Sequence, residues 1–155
     1  MCFLPGFSLT QDFDLKFQHI GSRYLRELDF AKFYHYNLTG LFDHINQLKR
    51  DGGSAFQGAS LIQHFKNIKI FTPYRIETQI VSWDENSIYL QQNFVTFDGS
   101  LCFCSVLSRQ RFTKVNVADF LNKITIDSKK PRKSEELKLW LQSMKLSSEK
   151  LRYIR

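Results

Sequence analysis

Cysteine is scarce: Cys2, Cys102 and Cys104 are the only three in 155 residues. At least one stays unpaired within the chain, so no disulfide framework organises the fold, and this usage predicts a reducing compartment. Cys102 and Cys104 lie two apart in a strand-like stretch and share one face, which suits burial as small apolar side chains better than a zinc site. The four histidines stand at 19, 35, 44 and 64 with no ligand-like spacing, so no metal is expected. Long apolar runs are missing as well. No stretch approaches the roughly 20 residues that cross a bilayer. Met1-Cys2-Phe3-Leu4-Pro5 is too short for a signal-peptide core, and no basic residues precede it. The chain as given is expected to be soluble. Internal repeats and low-complexity tracts are also absent.

Apolar material is plentiful. Hydrophobic residues make up 43% of the chain and aromatics 15%, with 15 Phe. That is ample for one compact core and excludes intrinsic disorder. The formal net charge of +7 points to an anionic partner such as nucleic acid, a membrane surface or a phosphorylated cofactor. Its distribution narrows this. From Asp127 to Arg155 there are 9 basic and 4 acidic residues, against 13 and 11 in the first 126. The charge therefore belongs mainly to a tail. Residues 1–126 read as one domain, and 127–155 as a basic linker followed by an amphipathic helix. Ser134 is placed to cap that helix, Glu135 and Glu136 favour its positive end, and Leu137, Leu141 and Met144 recur at helical spacing. Peripheral contact with a membrane through this tail is expected, and nucleic-acid binding is not.

Within the domain, the apolar period is near 3.6 from Ser22 to about Arg50, with Gly40 between two helical segments. Asp51-Gly52-Gly53-Ser54 ends it. Strands follow at Ser60 to Phe71, Tyr74 to Trp83, Ser87 to Phe97 and Leu101 to Thr113, joined by Asp84-Glu85-Asn86 and Phe97-Asp98-Gly99-Ser100. Another strand is placed near Phe7 to Leu9. This order predicts an α+β fold, an antiparallel sheet wrapped against one long helix.

The chemistry is expected in Asp12 to Glu27. A carboxylate there precedes a helix that opens at Gly21-Ser22, and unpaired N–H groups at a helix start can hold an oxyanion. A carboxylate facing such a start can act as general base or nucleophile on an acyl group. The same residues also suit simple loop solvation or helix capping.

The run from Asp14 through Tyr24-Leu25-Arg26-Glu27 to Asp29 resembles the signature of hotdog-fold acyl-CoA thioesterases of the 4-hydroxybenzoyl-CoA thioesterase type. Arg23 to Ala31, Phe71-Thr72-Pro73-Tyr74, Ser82-Trp83-Asp84-Glu85, Tyr89-Leu90 and Phe94-Val95 extend the likeness over Gly6 to Leu121, about three quarters of the chain. The resemblance implies a hotdog fold, an acyl-CoA or other acyl thioester as substrate, no cofactor beyond the coenzyme A of that substrate, and a homodimer or dimer of dimers. It assigns Asp14 as the catalytic carboxylate and Gly21 as the helix-start N–H donor. Gln18, His19, Tyr24 and Asp29 fall at substrate-contacting positions. Asp29 stands where many relatives carry a helix glutamate, or else serves as a structural partner for Arg23, Arg26 or a backbone group. Relatives usually carry His, an aliphatic residue and two Asn before the helix, where this chain has Gln18-His19-Ile20-Gly21. That departure keeps a second reading open, a non-catalytic hotdog dimer that binds acyl groups or scaffolds a membrane-associated partner. Relatives of this kind are expected to carry an apolar N-terminal segment. Without it the sequence reads as cytoplasmic, and with it as membrane-associated or endoplasmic-reticulum. Lys66, Lys69, Arg109, Arg111 and Lys114 are candidates for coenzyme A phosphates, or ordinary solvated strand faces.

Overall fold

The structure, a computed structural model, describes residues 1–8, 21–122 and 131–152. Strand β1 (Cys2–Phe7) is followed by helices α1 (Gly21–Leu38) and α2 (Leu41–Arg50). Strands β2 (Ala55–His64), β3 (Pro73–Trp83), β4 (Ser87–Thr96) and β5 (Cys102–Phe112) come next, and then α3 (Val117–Asn122) and α4 (Glu135–Arg152). The five strands form one sheet in the order β1-β3-β4-β5-β2, with every neighbouring pair antiparallel. Edge position explains how β1 tolerates Pro5, which has no N–H to donate.

Gly40 separates α1 from α2, as its place in the sequence predicts. Its φ of 73° lies in the left-handed region that residues with a Cβ avoid. Strand boundaries differ more. The first strand begins at Cys2 and pairs through Phe7 with Pro73, while Leu9 lies outside the described residues. The strand placed at Ser60 to Phe71 runs instead over Ala55–His64. Its ladder ends where the N–H groups of Phe65 and Lys66 both donate to the Phe103 carbonyl, at 2.9 and 3.1 Å. Ile68 then drops into the core from a loop. Helix α3 has no sequence signal because six residues are too few for a periodic stripe. Asn116 Oδ1 caps it, accepting from the Ala118 N–H at 2.9 Å.

One sheet face carries α1, and two apolar clusters form between them. One gathers Tyr24, Leu28 and Ala31 of α1 with Ile76, Phe94 and Val106. The other joins Tyr36 and α2 to Trp83, Ile88, Leu90 and Phe112. A sheet curved around one long helix is the hotdog arrangement that the resemblance implies. The tail helix forms as expected. Ser134 Oγ accepts from the Leu137 N–H at 3.2 Å, and Leu137 is fully buried. Lys133 lies 5.9 Å from the centre of the Tyr89 ring, so α4 sits on the sheet face opposite α1. Among the described residues no helix is long and apolar enough to cross a membrane.

Candidate functional site

Strand alternation places Thr78, Gln92, Ser108 and Gln110 on the face that carries α1, and all four are buried. They form a polar band across the sheet, between the two apolar clusters. Buried polar groups cost free energy unless hydrogen-bonded, and most of this band is satisfied. Gln92 Nε2 donates to the Leu28 carbonyl at 2.9 Å and to Thr78 Oγ1 at 3.3 Å. Gln110 Nε2 donates to Gln57 Oε1 at 3.2 Å. Ser108 Oγ is enclosed without a hydrogen-bond partner among the described residues, a situation that costs about 1–3 kcal/mol.

Above the band a cavity of about 260 Å³ opens between α1 and β5, lined by Leu25, Leu28, Asp29, Lys32, Gln57, Gln92, Val106 and Ser108. Lys32 belongs to the inward stripe of α1, and its side chain is only 9% exposed. An ammonium so enclosed needs acceptors. It finds Asp29 Oδ1 at 2.7 Å and Gln57 Oε1 at 3.1 Å. A second cavity of about 160 Å³ lies on the other side of the Lys32–Gln57 pair, against Phe33, Tyr36, Phe42 and Phe56. The pair thus forms a bar between the two spaces. Tyr36 keeps an enclosed hydroxyl without a hydrogen-bond partner among the described residues, and burial, reinforced by the nearby Asp29 charge, pushes its pKa well above the usual phenol value.

Of the residues singled out from sequence, Asp14, Gln18 and His19 lie outside the described residues. Gly21 is the first residue of α1. It precedes Leu25 of the cavity wall by four positions, about 6 Å of helical rise. Tyr24 does not line the cavity. Its ring packs edge-on against Phe94 and His64, each with centroids 4.9 Å apart, within the apolar cluster, and burial raises its pKa to about 12. Asp29 does reach the cavity, but not as a buried group paired with an arginine. Its side chain is 54% exposed and its partner is Lys32, while Arg26 pairs with Glu27 at 3.2 Å.

A sequence model described as the thioesterase-like superfamily matches residues 9–141. The chain belongs to that superfamily. Within it, Protein THEM6 of Drosophila melanogaster is 43% identical over 148 residues, which is 95% of this chain and 75% of the relative. Protein THEM6 of Danio rerio is 35% identical over 150 residues, 95% of this chain and 72% of the relative. Solved structures share the fold at low identity. The YbaW probable thioesterase from Escherichia coli superposes with a TM-score of 0.65 at 13% identity, over 71% of this chain and 80% of that one. The Synechocystis 1,4-dihydroxy-2-naphthoyl-CoA thioesterase gives 0.63 at 8%, over 86% and 89%. SAV2348 from Staphylococcus aureus, solved in complex with CoA, gives 0.58 at 9%, over 91% and 81%.

The superfamily match runs to residue 141, inside the first half of α4. The five basic candidates do not gather at the α1 cavity. Arg109 and Arg111 lie on the opposite sheet face, in a groove with Leu141, Met144 and Lys145 of α4. Arg109 Nε donates to Ser87 Oγ at 2.9 Å. Lys32, Gln57, Gln92 and Ser108 are the site residues that motif reading misses. A usable signal exists for two of them, because Gln92 and Ser108 are polar residues at inward positions between Leu90 and Phe94 and after Val106.

Proposed function

We propose that this member of the thioesterase-like superfamily hydrolyses the thioester of an acyl-CoA to a free acid and coenzyme A. The observation that carries the proposal is the Asp29 carboxylate at the mouth of the α1 cavity, about two helical turns beyond the start of α1 at Gly21. In the proposed reaction a carboxylate takes a proton from water as the water oxygen adds to the thioester carbonyl carbon. Asp14 keeps the role of that base, and Asp29 holds the water or the substrate at the cavity. The carbonyl oxygen becomes an oxyanion, and the N–H groups at the start of α1 stabilise it, a contribution of roughly 3–4 kcal/mol per donor in comparable sites. Collapse breaks the C–S bond and releases the coenzyme A thiolate, which takes up a proton. The CoA complex of SAV2348 supports the choice of substrate class, as that protein shares this fold.

A homodimer is part of the proposal. Strand β2 ends the sheet among the described residues, Phe56 is exposed on it, and a free strand edge of that kind favours pairing with a second copy. The tail is proposed to meet an anionic membrane surface through α4, where Leu139 and Leu146 are exposed beside Lys138, Lys145 and Lys150. Co-sedimentation with vesicles containing phosphatidylserine, absent without that lipid, checks it.

Purified protein presented with short, long and aromatic acyl-CoA in a thiol-release assay tests the activity. Turnover is expected, with a loss of a hundredfold or more in Asp14→Asn, about the scale of removing a general base. No turnover above background, or wild-type turnover in both Asp14→Asn and Asp29→Asn, overturns it. The Lys32–Asp29 ion pair at 2.7 Å supports the second reading, a non-catalytic acyl binder in which the carboxylate is structural. Saturable acyl-CoA binding without thiol release is the result that selects it.

A further inference from the structure

We infer that the α1 cavity selects a compact acyl group bearing a hydroxyl, with Gln92 and Ser108 as the residues that read it. The inference rests on the proposed acyl-CoA site and names its substrate class. Two features of the cavity floor carry it. Gln92 is 2% exposed and spends its N–H groups on the Leu28 carbonyl and Thr78 Oγ1. The Leu28 carbonyl can only accept, so the carboxamide nitrogen must face it and the Gln92 oxygen remains as the acceptor. Ser108 is 3% exposed and lines the same cavity. Its hydroxyl has no hydrogen-bond partner among the described residues, so turning it toward a ligand breaks no hydrogen bond with them.

The floor therefore offers an acceptor and, beside it, a group that both donates and accepts. A ligand hydroxyl matches that pair, donating to the Gln92 oxygen and accepting from Ser108. A plain alkyl chain leaves both unanswered, and a site with buried polar groups rejects a ligand that cannot pair with them. The volume of about 260 Å³ is below the usual range for drug-sized ligands and suits a short acyl group. The apolar walls, Leu25, Leu28 and Val106, take the carbon skeleton.

Binding of butyryl-CoA and of its three positional hydroxybutyryl-CoA isomers, followed by calorimetry with the full chain, tests the inference without requiring turnover. At least one isomer is expected to bind about tenfold tighter than butyryl-CoA, the factor for one net hydrogen bond. In Ser108→Ala and in Gln92→Leu the ratio falls toward one. Ser105→Ala, on the same strand but the other face, where its hydroxyl donates to Asn93 Oδ1 at 2.7 Å, keeps the wild-type ratio. Equal or tighter binding of butyryl-CoA overturns the inference, as does an unchanged ratio in Ser108→Ala. Binding of the hydroxylated isomer, with no thiol release from it or from long and aromatic acyl-CoA, leaves the inference standing and removes the hydrolase reading. Absence of binding by every probe overturns the inference, while turnover of long or aromatic acyl-CoA decides the hydrolase reading separately.

Discussion

Lys32 Nζ lies 2.7 Å from Asp29 Oδ1, one turn apart on α1, and the same ammonium reaches Gln57 Oε1 of the edge strand at 3.1 Å. One cation thus joins the central helix to β2 and divides two cavities. Burying a cation is costly unless it is paired, so its presence on the buried face of α1 marks this turn of the helix as more than packing.

Replacing Lys32 tests that division. Lys32→Ala removes the bar and lets the two cavities join, so acyl-CoA preference is expected to move toward longer chains. The profile of thiol release or of binding against chain length checks it, and an unmoved optimum goes against it. Asp29→Asn leaves the ammonium with a neutral partner. Because Asp29 is half exposed, the expected cost is only about 1–2 kcal/mol, less than for a fully buried pair. Thermal denaturation reads it.

Acid sensitivity is expected from His35. Burial, aided by the positive N-terminus, lowers its pKa to about 4, whereas an unfolded histidine titrates near 6.5. Between those values the unfolded chain binds the proton and the folded chain does not. Stability is therefore full above about pH 6.5 and falls as the pH drops toward 4. His35→Leu should flatten that slope in urea titrations run across the window. Asp84 adds a separate acid-sensitive contribution. Burial alone would raise its pKa, but hydrogen bonds from the Tyr89 hydroxyl and the Asn86 N–H, with Arg109 nearby, hold it below the usual carboxylate value.

The joint between α1 and α2 supplies a backbone test. Gly40 has φ 73°, and a Cβ added there meets nothing within 4 Å. The penalty for Gly40→Ala is then conformational alone, about 1–2 kcal/mol, while Gly40→Asn loses less because asparagine tolerates this region. The shift in urea midpoint at constant slope measures both.

Leu137 is the fully buried anchor of α4. Leu137→Ala is expected to cost about 2–5 kcal/mol locally and to unseat the helix. Trp140 emission moves to the red and the tail becomes an early protease target, while the sheet remains folded. Unchanged Trp140 emission and protection would show that α4 is held elsewhere.

How far the fold is legible depends on element length. The long periodic stretch of α1 and α2, broken at Gly40, and the alternating runs of β3, β4 and β5 announce themselves within a residue or two. Strand β2 does not, because its end is decided by a shared Phe103 carbonyl from another strand. Helix α3 is too short to show a period. The candidate site is less legible still. Asp29 comes from motif position, but Lys32 reads as an ordinary helix lysine, and Gln92 and Ser108 as ordinary strand polar residues.

The sequence by itself determined the α+β class, the order of helix and strands, the placement of most charge in the tail and the family likeness. The class and element order depend on periodicity, which local stereochemistry reads directly, the charge placement on composition, and the likeness on the resemblance of motifs. Tertiary structure alone decided that Tyr24 is core, that Lys32 reaches Gln57, and that Arg109 faces α4 instead of the α1 cavity. It also brought Gln92 and Ser108 together as a polar floor. Those outcomes depend on which strand lies beside which, and on which sheet face α1 covers. No window along the chain carries that information, because the partners are tens of residues apart and meet only when the sheet closes on the helix.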